Sequence, residues 1–114
     1  MSTETADFIA NGREYIEKNG WWRNQLLGPN KRQACLIGGL LFGNGLGTKD
    51  WKDPRYMSAY TAVGAVLPPI YLEDIEYWND RVATDKQEVL DVLAKAEKIE
   101  RGFDPDKGLT LDEL

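Results

Sequence analysis

The chain contains no histidine. That absence removes the commonest general base near neutral pH, the commonest zinc ligand, and every serine–histidine or cysteine–histidine pair. Cysteine is nearly as scarce. Cys35 stands alone, so no internal disulfide can form and a reducing compartment is the expected setting. Long apolar runs are missing too: the longest, Ala34 to Phe42, is about half of what a membrane span needs. Positive charge is in deficit, with 14 Lys and Arg against 19 Asp and Glu giving a net charge of −5. Such a field argues against non-specific binding to nucleic acid or an anionic membrane. The candidate basic groupings, Lys31-Arg32 and Lys49, Lys52, Arg55, are diluted by neutral or acidic neighbours and read as solvated surface. The opening residues MSTETADF are polar and acidic where a secretory signal is basic and then apolar, so a cytoplasmic protein is expected.

What is present is enough for one core. At 114 residues, 42% hydrophobic and with four Trp, five Tyr and three Phe, the chain is long enough for a single cooperative domain and too short for two. The stripe Phe8, Ile9, Gly12, Tyr15, Ile16 predicts a helix over residues 4–18, stopped by Asn19-Gly20. Gly12 costs this helix about 1 kcal/mol against alanine, which implies that another element approaches closely there. Residues 34–42 are apolar on every side and read as a short buried helix. Asp53-Pro54 opens a third helix with stripe Tyr56, Met57, Tyr60, Val63, Gly64, Leu67, ended by Pro68-Pro69. A shorter one follows from Leu72 to Trp78, burying Leu72, Ile75 and Trp78. The clearest is the last: Thr84 and Gln87 form a capping box, Val89, Leu90, Val92, Leu93, Ala96 and Ile99 line one face, and Gly102 stands at the stop. The expectation is an all-α domain of about five helices over residues 1–102, followed by a flexible acidic tail, 103–114. The turn signal Gly28-Pro29-Asn30 adds a short β-hairpin or extended pair near residues 22–34.

The motifs that carry chemistry fail one by one. Glycines at 43, 45 and 47 imitate a phosphate-binding loop. Gly38 and Gly43 have P-loop spacing, but Asn44-Gly45 stands where lysine and a hydroxyl belong. The dinucleotide pattern starts at Gly43 and Gly45 and breaks at Thr48, and neither motif has its βαβ setting. A buried helix leaving through a flexible turn is the preferred reading. Cys35 lacks an activating partner and sits in the most apolar stretch, where a thiol is inert. The tail residues Asp104, Asp106, Gly108 and Thr110 resemble a calcium loop whose glycine falls one place early and whose final glutamate is missing. Glu73, Asp74, Glu76 and Asp80 crowd one segment and read as a solvated face. No catalytic residue, metal ligand or cofactor is therefore assigned.

The tryptophans are different. Trp21 and Trp22, if extended, point to opposite faces, and Trp51 falls in a loop. Exposed Trp beside Arg is the composition of a protein-contact patch, which nominates Trp22, Trp51 and Arg55. Gly20-Trp21, the Cys35-Leu36-Ile37-Gly38-Gly39-Leu40 segment, Trp78-Asn79-Asp80 and the helix from Thr84 together resemble an uncharacterised family of short actinobacterial and actinophage proteins. The resemblance covers about residues 8–97, with Gly39 where that pattern has alanine. It implies a bacterial or phage cytoplasm and brings no activity with it. The leading expectation is a small acidic interaction protein, not an enzyme, that binds a host or partner protein. Its rivals are a small-molecule or nucleotide sequestering protein using Gly43, Gly45, Gly47 and Lys49, and a DNA-binding helical module.

Overall fold

The computed structural model describes residues 3–28, 32–104 and 109–110. It is an all-α domain with five helices. Helix α1 (Thr3–Asn19) packs against α2 (Leu36–Phe42), α3 (Pro54–Gly64) and α5 (Lys86–Glu100). The short α4 (Ile75–Tyr77) runs into a π-helical turn, Trp78–Val82. Two-residue strands β1 (Phe103–Asp104) and β2 (Leu109–Thr110) pair antiparallel after α5. Near residues 22–34, where a hairpin or extended pair is expected, the described chain pairs only through isolated bridges, Trp21 with Ala34 and Leu27 with Ala34. Ala34 takes part in both, and neither bridge extends into a ladder among the described residues. The turn residues Pro29 and Asn30, and most of the acidic tail including Asp106 and Gly108, lie outside the described residues.

The core forms where the helical stripes meet. Ile9 and Ile16 of α1, Leu36, Leu40 and Leu41 of α2, Val63 of α3, Ile75 of α4 and Val89 and Leu93 of α5 are fully or almost fully buried. Each such side chain contributes roughly 1.5–3 kcal/mol relative to exposure. The close approach implied by Gly12 is real: a Cβ there would stand 2.9 Å from Leu40 Cδ2 and 3.0 Å from Leu40 Cα. Gly39 answers from the other helix, where a Cβ would meet Ile16 Cδ1 at 2.6 Å. The helices α1 and α2 thus cross glycine against leucine and glycine against isoleucine. Gly20 ends α1 at φ 101° and Gly102 follows α5 at φ 108°, both left-handed stops.

Three local expectations change. The cap of α5 is Asp85, whose carboxylate accepts from the Glu88 amide at 2.9 Å, while Glu88 Oε2 accepts from the Thr84 amide and hydroxyl at 3.0 and 2.7 Å. The box is shifted by one residue from Thr84/Gln87, because aspartate caps as well as threonine and this register brings a glutamate to the third position. Met57 is exposed, since α3 turns positions 56, 59 and 63 inward and position 57 lies a further 100° round. Leu72 is exposed as well, because a 3₁₀ turn at Pro69–Tyr71 replaces the start of the expected helix.

Candidate protein-contact surface

The Trp-Asn-Asp segment builds a buried polar latch. In the wide turn after α4, consecutive Trp78 and Asn79 are both buried. Asn79 Oδ1 accepts from the Trp21 indole at 2.7 Å and from the Leu36 amide at 3.0 Å. Its Nδ2 donates to the Trp22 carbonyl at 3.2 Å and to Asp80 Oδ1 at 2.9 Å. Asp80 in turn accepts from the amide of Asn24, a residue held at φ 67°. Arg23 donates to the Ala83 carbonyl and lies 5.1 Å from the Trp21 ring centroid. One amide side chain therefore ties three separated segments to one another: residues 21–24, the start of α2, and the turn after α4.

Cys35 caps α2, with Sγ accepting from the Gly38 amide at 3.3 Å. Burial pushes its thiol up to about 11, and neighbouring amides only partly offset that. A neutral, enclosed thiol is a structural group, as expected.

The amides of the glycine turn are engaged within the chain. The amides of Gly43, Asn44, Gly45 and Leu46 donate to carbonyls of Gly39, Leu41, Phe42 and Leu41. Gly47 donates to Asp50 Oδ2 at 2.6 Å. A phosphate needs amides that point outward. Gly45 is left-handed at φ 73° with open space beside it, and Gly43 packs against the Asn11 carbonyl. The two glycines serve a turn and a helix crossing.

The exposed apolar side chains gather elsewhere. Trp51 (58%), Met57 (54%), Ile70 (80%), Leu72 (46%) and Tyr77 (51%) are the large hydrophobic residues exposed among those described, and all fall between positions 51 and 77. No charged residue occurs from Tyr56 to Leu72, although charges make up 29% of the chain. A groove of about 330 Å³ on this side is lined by Trp51, Tyr56, Met57, Tyr60, Thr61 and Glu76. The Tyr60 hydroxyl donates to Glu76 Oε2 at 3.2 Å. Tyr71 and Tyr77 stack with centroids 6.0 Å apart and rings within 15° of parallel. Lys52 Nζ lies 4.9 Å from the Trp51 ring centroid.

The three nominated contact residues are not brought together. Trp51 lies in the groove just described. Trp22 lines a separate open depression of about 640 Å³ with Trp21, Arg23, Asn24, Gln25 and Thr84. Arg55 is held at the start of α3, where its guanidinium pairs with the capping Asp53 at Oδ2, 3.0 Å, and lies 5.9 Å from the Phe8 ring centroid. Met57, Tyr60, Leu72, Glu76 and Tyr77 were not foreseen. The uncharged run from 56 to 72, longer than one buried stripe requires, is the signal that points to Met57, Tyr60 and Leu72; nothing local marks Glu76 and Tyr77.

Fold and surface define a small helical domain with an exposed aromatic face and a buried amide latch. The chain belongs to the family of unknown function DUF6197, which residues 1–99 match. No curated protein and no solved structure matches it. No helix among the described residues is long and apolar enough to cross a membrane.

Proposed function

We propose that this protein is a non-enzymatic interaction protein that binds a partner protein through the face bearing Trp51, Met57, Tyr60, Leu72 and Tyr77. The observation that carries the reading is the gathering of every large exposed hydrophobic side chain among the described residues into one stretch, 51–77. Monomeric surfaces scatter such residues, whereas contact surfaces group aromatics and methionine and leave charges to the rim. The setting is a bacterial host cytoplasm, with a phage-encoded protein acting on a host component as the particular case that the sequence resemblance implies. The rival nucleotide-sequestering turn has less support, because each amide from Gly43 to Gly47 is already engaged within the chain.

The test is comparative capture. Wild-type protein and a Trp51→Ala/Met57→Lys variant are used as bait in cytoplasm of the source cells, with Gln25→Ala as a control in the other depression. The expected result is one partner retained by wild type and control and lost by the double variant, with both variants melting close to wild type. Retention by the double variant contradicts the reading. So does turnover of nucleotides or simple esters that disappears on substitution of a single acid.

A further inference from the structure

We infer that the groove between Trp51 and Glu76 receives an amphipathic helix whose apolar stripe is flanked by lysine or arginine. This rests on the contact face proposed above and adds the partner's chemistry to it. The groove takes apolar side chains: Tyr56, Tyr60 and Thr61 line it, with Trp51 and Met57 beside them. Its other lip is carboxylate. Glu76 lines the groove, Glu73 and Asp74 are exposed just before it, and no lysine or arginine among the described residues pairs with any of the three. The Tyr60 hydroxyl holds the Glu76 carboxylate at that lip. Among the described residues, the acids are therefore not spent on ion pairs.

Charge then selects the occupant. An acidic rim on the partner meets like charge, and a wholly apolar one desolvates carboxylates without giving them a partner. A cationic flank supplies the missing counter-charge. Lys52, held over Trp51, makes the opposite lip less negative, so the cationic flank is oriented toward residues 73–76. The groove is lined by side chains of α3, α4 and the preceding loop rather than by an open strand edge. An extended segment would leave its own amides unpaired there, while a helix satisfies them internally.

The experiment measures fluorescence anisotropy of three labelled helical peptides with the same leucine and phenylalanine stripe and with lysine, glutamine or glutamate at the flanking positions. The lysine peptide is expected to bind about tenfold more tightly than the glutamine one at low salt, with the advantage shrinking as salt is added. The glutamate peptide is expected not to bind. The Glu73→Gln/Asp74→Asn/Glu76→Gln variant keeps the affinity for the glutamine peptide and loses the preference for lysine. Asparagine at 74 retains the capping role of Asp74 at α4, so the fold is undisturbed. Equal affinity for all three peptides overturns the inference, as does failure of all three to bind. A sedimenting dimer that dissociates on Met57→Glu also overturns it, by giving the groove to a second copy. If the peptides fail while capture from cells still depends on Trp51, the contact-face reading stands and only the helix is lost.

Discussion

Asn79 has two amide hydrogens and two acceptor lone pairs, and each is matched to a different group. Removing the side chain leaves the Leu36 amide and the Trp21 indole without their acceptor. Each orphaned donor costs roughly 1–3 kcal/mol, so Asn79→Ala is expected to lose about 2–6 kcal/mol in chemical denaturation. Asn79→Asp keeps the accepting oxygen but turns a second one toward the Trp22 carbonyl and the Asp80 carboxylate. Its folded-state pKa is raised by that surrounding, so its stability falls as pH rises through the carboxylate range and recovers on acidification. Asn79→Ala lacks this pH dependence relative to wild type, and the pair of denaturation series separates the two causes. Cys35 makes a second prediction at this scale. With the thiol pushed up to about 11 and enclosed, native protein is expected to resist thiol reagents at neutral pH and to react fully once unfolded. Rapid native labelling contradicts its place in the core.

At the scale of elements, the glycines of α2 divide by what they face. A Cβ on Gly38 runs into the Leu26 carbonyl oxygen, a main-chain atom that cannot move alone. A Cβ on Gly39 meets chiefly the end of the Ile16 side chain, which has other rotamers. Gly38→Ala is expected to cost about 3 kcal/mol or more and Gly39→Ala about 1–2 kcal/mol. Equal costs measured by thermal melts would show that the loop before α2 is not held against it. The ion network between α1 and α5 gives a pH prediction. Burial raises the Glu97 carboxyl, but hydrogen bonds from Arg101 and Arg13 and their charges outweigh it and hold it below the ordinary value. A depressed folded-state pKa means stability that is present at neutral pH and lost as pH falls through the carboxylate range. Glu97→Gln is expected to cost about 2 kcal/mol at neutral pH, and the gap to wild type closes in acid.

Most elements were legible in the sequence for physical reasons that can be named. Asp53-Pro54 and Gly102 act through local chemistry, and the stripes of α1 and α5 follow the helical period. Gly12 announced the α1–α2 crossing because a residue that weakens a helix needs a reason to be there. The latch was not legible, since nothing local to Asn79 says that it reaches Trp21 and Leu36 from 58 and 43 positions away. The exposed aromatic face was half legible. Trp51 was visible as a loop aromatic, but Met57 reads as core until the side of α3 that packs inward is known.

For the whole molecule, these pieces have one consequence. The chemistry-bearing residues that sequence singles out are mostly engaged inside the fold: Cys35 as a cap, Asp80 in the latch, the glycine-turn amides with their own carbonyls. What the outward face of residues 56–72 presents is uncharged and aromatic, bordered by the exposed acids of 73–76, in an otherwise charge-rich chain of net −5. The use we propose for it is adhesion. The most direct test is site-specific photo-crosslinking in the source cells, with the reactive group placed in turn at Met57, Leu72 and Tyr77 on the face, at Gln25 in the other depression, and at Glu17 on α1. Adducts to one common protein from the three face positions, and none from the two controls, are predicted. Adducts arising from position 25 alone, or from no position while the protein remains folded, would contradict the assignment of that face.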